Sequence, residues 1–200
     1  MKKQFLKSCT LLAAFALWTL LISTVDVQSI GPNESAVGFA TANGFVHRLF
    51  GVHMTLYVIT DWLGLVPVAV GFGFAVWGLI QWIKRKNILK VDKRILVLGG
   101  FYILTLAAYL LFEEVVINYR PVLIGGYLEA SYPSSTTLLV LCVMPTAAIF
   151  SKKRVIKGII YGFVVFMVIG RLVSGVHWFT DIIGGILLSA GLVHLYKTCS

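Results

Sequence analysis

The chain has 200 residues, of which 58% are apolar and 12% charged, and its mean hydropathy is +0.91. That composition excludes an ordinary soluble domain and points to an all-α, polytopic membrane protein. The net charge of +9 does not require a nucleic-acid partner, because loop bias accounts for it, as shown below.

Uncharged runs fix the candidate spans in chain order. Ser8–Val25, Trp62–Ile83, Ile95–Phe112 and Ala130–Ser151 each hold 18 to 22 residues, close to the roughly 20 that a membrane-crossing helix needs. Two later runs, Gly158–Gly170 and Ile182–Tyr196, are shorter. The fifth helix is therefore expected to extend past its flanking charges, with Lys157 snorkelling to the surface and Arg171 facing the bundle. Six transmembrane helices follow, at about 8–25, 62–83, 95–112, 132–150, 155–171 and 180–196, in a single integral membrane domain over 1–200. Met1-Lys2-Lys3 before an apolar run looks like a signal peptide, but the run is long and Ile22–Asp26 offers no small-x-small cleavage site, so an uncleaved span is expected. Asp26–Asp61 reads as an outer loop, with Asp61 placed to cap the second span at Trp62. Trp62 and Trp178 read as interface anchors.

Six spans sort the charges. One side receives Lys2, Lys3, Lys7, the Lys84–Arg94 block, the Lys152–Lys157 block and Lys197, which is 14 of the 17 basic residues. The other receives Arg48, Arg120 and Arg171 with seven of the eight acidic residues. The positive-inside rule makes the basic side cytoplasmic, so both termini lie inside. Cys9, Cys142 and Cys199 are scattered, and neither a disulfide framework nor a metal site is visible. No cofactor is expected.

Three outward segments carry chemistry. Asn118-Tyr119-Arg120-Pro121 holds an Arg that the following Pro keeps out of the helical region; its ordinary reading is an interfacial Arg ending a helix. Ser131-Tyr132-Pro133-Ser134-Ser135-Thr136-Thr137 opens the fourth span with small hydroxyl residues and free backbone N–H groups, an anion site or a plain N-cap. Gly170-Arg171-Leu172-Val173-Ser174-Gly175-Val176-His177-Trp178-Phe179-Thr180-Asp181 places an Arg, a His and an Asp in a nearly uncharged region. On a helix, His177 and Asp181 at i,i+4 share a face, so the carboxylate can hold one imidazole nitrogen and free the other. A structural Arg–Asp pair is the alternative. Together, two Arg clamps, a helix-start anion site and a His–Asp pair are what phosphoryl transfer needs.

In this order the segments resemble the signature of the type 2 phosphatidic acid phosphatase family, which shares its core with vanadium haloperoxidases. That pattern is Lys-x6-Arg-Pro, Pro-Ser-Gly-His and Ser-Arg-x5-His-x3-Asp. Arg120-Pro121, Pro133-Ser134, and Arg171, His177 and Asp181 match it. The third motif is specific; the first two are weak without it. The resemblance implies a phosphatase-like helical core and a metal-independent phosphoric monoester or pyrophosphate hydrolase. It implies that His177 attacks phosphorus and forms a phosphohistidine, and that Asp181 orients His177. Arg120 and Arg171 clamp the phosphoryl oxygens with the Ser134 hydroxyl and the backbone near Ser135. The substrate would be a membrane lipid phosphate or pyrophosphate, such as undecaprenyl pyrophosphate, phosphatidylglycerophosphate or phosphatidic acid. The setting would be a bacterial plasma membrane with an extracytoplasmic active site.

The departures fall at Glu113 for Lys, Ser135 for Gly, Thr136 for His and Gly170 for Ser. Thr136 matters most, because that His protonates the leaving oxygen in the family. General acid catalysis is worth roughly 10²–10⁴-fold. Thr136 leaves three readings open: an otherwise ordinary enzyme that is impaired, an enzyme restricted to pyrophosphate bonds, or a catalytically silent lipid-phosphate binding or transport protein. Arg48 is a candidate auxiliary clamp, with His47 or His53 as proton source; a solvated interfacial loop is the plainer reading of that segment.

Overall fold

The computed structural model describes residues 2–200. Eight α-helices account for most of it: α1 Lys2–Thr24, α2 Ala40–Phe50, α3 Met54–Leu63, α4 Leu65–Arg85, α5 Lys93–Glu114, α6 Ser135–Phe150, α7 Arg154–Val173 and α8 Phe179–Cys199. Among the described residues the only β pairing is three isolated bridges, so the all-α class expected from composition is the class observed. Among the described residues, five helical segments are long and apolar enough to cross a membrane: α1, the α3–α4 unit over Met54–Arg85, α5, α7 and α8. The sixth apolar helix, α6, is shorter, at 16 residues.

The helix bounds differ from the uncharged runs where a charge is neutralised inside the fold. The second segment starts at Met54 rather than 62, because Asp61 lies within α3 and forms an ion pair with Arg171. Asp61 is therefore not an N-cap. Gly64 joins α3 to α4 in right-handed helical conformation. At 1.5 Å per residue the 32-residue unit is about 48 Å long, so it exceeds a hydrocarbon core of about 30 Å, with α3 at one end. The expected outer loop 26–61 thus contains α2 and most of α3. α6 begins at Ser135 rather than 132, after Pro133 and the N-cap Ser134. α7 runs from Arg154 past Arg171 to Val173.

α8 is the axis of the bundle and touches α1, α2, α5, α6 and α7. Lipid tails are as apolar as leucine, so helices in a membrane associate by close packing and buried hydrogen bonds. α1 and α8 use both, with the Ser8 hydroxyl donating to the Gly191 carbonyl at 2.8 Å. Phe15, Leu98, Phe101, Tyr132, Leu188, Leu192 and Tyr196 form the main buried cluster around this axis. The α3–α4 unit is the opposite case: only 6% of its apolar window is buried, against 61% for α8.

Candidate active site

The loop between α5 and α6 folds back on itself. Tyr119 bridges Ala130, the Arg120 N–H donates to the Glu129 carbonyl at 3.0 Å, and the Ser131 N–H donates to the Asn118 carbonyl at 2.9 Å. This pairing carries Arg120 back to the start of α6. The Ser134 N–H donates to the Asp181 carbonyl at 3.1 Å and so ties that start to α8. Arg171, at the end of α7, comes to the same place. Arg120 and Arg171 both face the Tyr57 ring of α3, with guanidinium carbons 6.0 and 5.1 Å from its centroid. The structure therefore gathers Arg120, Ser134, Ser135, Thr136, Arg171, His177 and Asp181 at one end of the bundle.

His177 is not on a helix. It precedes α8, whose N-cap is Trp178. Asp181 closes the helix start by accepting the Trp178 N–H at 2.9 Å, an N3 carboxylate reaching back to the cap. The shared helical face expected from i,i+4 spacing is therefore absent, and His177 Nδ1 stands 4.0 Å from Asp181 Oδ2. Ser131 fills the gap. Its Oγ lies 2.5 Å from Asp181 Oδ2 and 3.0 Å from His177 Nδ1. A hydroxyl has one proton. Donated to Asp181, it leaves Oγ to accept from Nδ1–H, which puts the free lone pair on Nε2. Asn118 Nδ2 donates to the other Asp181 oxygen at 3.2 Å. Burial first, then the charges of Arg120 and Arg171, push the His177 pKa well below its ordinary value, against a smaller upward pull from Ser131. The imidazole is neutral at neutral pH, as a nucleophile must be.

The loop bearing His177 is held from outside. Gly175 turns it at φ +70°, and a Cβ there would stand 2.0 Å from the Gly51 carbonyl oxygen, so only glycine fits. The His53 N–H donates to the Ser174 carbonyl at 2.9 Å. His47 Nε2 lies 3.2 Å from the Gly175 carbonyl. Asn43, fully buried on α2, accepts the Thr180 N–H at 3.2 Å and donates to the Thr180 hydroxyl at 3.0 Å. Trp178 is buried, with Nε1 donating to the Tyr119 carbonyl at 2.7 Å. It is a structural strut and not the interface anchor its position suggested.

Several buried polar atoms converge on the site without a protein partner. They are Nη1 of Arg120, Nε and Nη1 of Arg171, the Ser134 hydroxyl and His177 Nε2. Buried polar groups are ordinarily satisfied, so a cluster of orphaned donors beside one free imidazole nitrogen suits an anion. Ser134 is the N-cap of α6 but makes no capping bond with its side chain. That leaves its hydroxyl, and the free N–H groups of the first turn from Ser135 to Thr137, for another acceptor. Two carboxylates occupy the arginines' remaining edges: Glu129 Oε2 lies 3.1 Å from Arg120 Nε, and Asp61 Oδ1 lies 3.2 Å from Arg171 Nη2. The Thr136 hydroxyl also contacts Arg171 Nη2.

The remaining sequence candidates lie elsewhere. Arg48 is exposed on α2, and its guanidinium folds toward Gly44 of its own helix. His47 and His53 each direct Nε2 at a backbone carbonyl, of Gly175 and Phe50. Glu113 and Glu114 are exposed, and Glu129 rather than either of them pairs with Arg120. Sequence reasoning gave no site role to Asp61, Tyr57, Asn118 or Ser131, although Asn118 and Ser131 open the first and second chemistry-bearing segments.

A cavity of about 1070 Å³ opens from the site between α4, α5 and α6. Asp61, Ser135 and Thr136 line its end at the site, and Phe72, Trp82, Ile88 and Leu96 are among the apolar residues along its length.

Comparison with known proteins finds a similar fold. A crystal structure of a transmembrane PAP2 type phosphatidylglycerolphosphate phosphatase from Bacillus subtilis is similar in fold, with a TM-score of 0.55 and 21% identity over 96% of this chain and 94% of that one. A crystal structure of Aquifex aeolicus LpxE aligns at a TM-score of 0.47 and 20% identity, over 78% of this chain and 96% of that one. No curated protein matches the chain. The model of the PAP2 superfamily matches residues 112–200, the stretch that holds all three motifs, and so bears out the resemblance carried by Arg120, Arg171, His177 and Asp181.

Proposed function

We propose that this membrane protein is a lipid phosphate or lipid pyrophosphate phosphatase working at the extracytoplasmic face through a phosphohistidine. The observation that carries this reading is the state of His177: Nδ1 is committed to Ser131, and Nε2 is buried and unpartnered among the free donors of Arg120, Arg171 and Ser134. In the step, the Nε2 lone pair attacks phosphorus while the arginines and the α6 N-terminus hold the phosphoryl oxygens. The imidazole gains positive charge, and the Nδ1 proton, Ser131 and Asp181 stabilise it. Water then cleaves the P–N bond and releases phosphate. The scheme uses protein groups alone.

Six spans, the sixth being α6, put both termini in the cytoplasm and the site outside, in keeping with the basic loops Lys84–Arg94 and Lys152–Lys157. The apolar cavity running from the site is suited to a substrate whose tail stays in the bilayer, and a phosphatidylglycerophosphate, phosphatidic acid or undecaprenyl pyrophosphate would each present such a tail. Thr136 favours the competing reading, a protein that binds or moves a lipid phosphate without hydrolysing it.

Phosphate release by the purified protein in detergent, from a lipid pyrophosphate and a lipid monophosphate side by side, separates the two. Release that drops by about 10³-fold or more in His177→Ala is expected of a nucleophile. Tight binding of both lipids with no release from either would establish the silent binder instead.

A further inference from the structure

The family pattern puts a His where this chain has Thr136, so the leaving oxygen lacks its usual proton donor. We infer that Asp61, from the neighbouring helix α3, is the catalytic residue that supplies that proton. The inference rests on the phosphatase reading above.

Position is the first argument. If phosphorus sits between His177 and the two arginines while the lipid tail follows the apolar cavity, the ester oxygen joining them lies at the site end of the cavity. That end is formed by Asp61, Ser135 and Thr136. Asp61 is the one carboxylate among the residues lining the cavity, and no imidazole lines it. It shares Arg171 Nη2 with the Thr136 hydroxyl, so it stands next to the place the missing His would occupy.

Access is the second. The Asp61 side chain is 57% exposed, whereas that of Arg171 is 2% exposed, so Asp61 exchanges protons with water while still touching the site. The other outward candidates are engaged elsewhere, since His47 and His53 contact backbone carbonyls.

A second departure from the family pattern supports the same assignment. The motif's Ser is Gly170 here, and a Cβ at Gly170 would come within 2.8 Å of the Thr60 methyl. Thr60 is fully buried between α3 and α7. The glycine lets α3 approach α7 closely enough for Asp61, the next residue, to reach Arg171.

The step balances. Nε2 of His177 forms the P–N bond as the P–O bond to the lipid breaks, and the Asp61 carboxyl gives its proton to the departing oxygen. The resulting carboxylate then takes a proton from the water that attacks the phosphohistidine. Phosphate leaves, and Asp61 is protonated again.

The test compares an alkyl lipid phosphate, whose leaving alkoxide needs a proton, with p-nitrophenyl phosphate, whose leaving phenolate does not. Asp61→Asn should raise the ratio of aryl to alkyl turnover by about 100-fold. Adding Thr136→His to Asp61→Asn should bring the ratio back toward that of the parent. An unchanged ratio, with both substrates slowed alike, would mean that Asp61 acts only by holding Arg171, and would overturn the assignment while leaving the phosphatase reading intact. A parent inert on both substrates would overturn the assignment, and one inert on a lipid pyrophosphate as well would overturn the phosphatase reading.

Discussion

The two sides of the site are built differently. Around His177 everything is sealed: the side chains of His177 and Asp181 are 1% and 0% exposed, and both Asp181 oxygens and Nδ1 have partners. Around Thr136 the site is open, with a carboxylate more than half exposed at the head of a large cavity. A nucleophile needs one fixed tautomer and a fixed direction of approach, and burial supplies both. A proton donor needs exchange with solvent, and a tail needs room to enter and leave. On the sealed side His177 and Asp181 keep the family pattern, and on the open side Ser135 and Thr136 depart from it.

The largest break of this contrast comes from the sealed side. Ser131→Ala removes the link between Nδ1 and Asp181 and leaves a gap that water cannot easily fill. Losing a buried hydrogen bond of this kind costs about 1–3 kcal/mol, so kcat for both aryl and alkyl phosphates should fall about 10–100-fold with KM little changed. A full effect on KM and none on kcat would show that Ser131 serves binding and not the orientation of His177.

The second acts on the open side. Gly170→Ser restores the family residue but drives its side chain against Thr60, an overpacking worth about 1–3 kcal/mol. The melting temperature should drop. α3 should retreat, so that a cysteine at position 61 becomes more reactive to a water-soluble thiol reagent in the Gly170→Ser background than in the parent. Equal reactivity would mean that Gly170 does not set the reach of Asp61.

The smallest sharpens the sealed side through pH. Unfolded, the His177 imidazole takes a proton near its ordinary value of about 6.5. Folded, burial and then Arg120 and Arg171 hold its pKa well below that. Below about pH 6.5 the unfolded chain therefore binds more protons than the folded one, so this contribution to stability is complete above that pH and is lost as pH falls through and beneath it. Thermal unfolding between pH 7.5 and 5.5 should show the decline, and His177→Asn should flatten it. A slope that survives the substitution must come from another group.

Local signals made much of this legible. Uncharged runs located the apolar helices, and Arg171, His177 and Asp181 stood out because charge inside an apolar region is costly and rarely idle. What the sequence hid was compensation across the fold. Asp61 ended an apolar run on paper, yet the helix continues through it because Arg171, 110 positions away, neutralises it. The i,i+4 spacing suggested a helical face, but Asp181 spends its carboxylate on closing the helix in front of it, and a hydroxyl from another segment reaches His177 instead. Spacing reports which residues can meet within one element; it is silent on what a third segment inserts between them.

The length of α6 has a consequence for its place in the bundle. Its 16 residues rise about 24 Å, several Å short of an average hydrocarbon core. A lipid-facing helix so short would strain the bilayer beside it. α6 avoids this by enclosure: it packs against α4, α5, α7 and α8, and of its residues only Ile149 is exposed. Surrounded by longer neighbours, it can begin below the level of their ends, so Ser134 and Ser135 sit recessed within the protein instead of at a lipid boundary.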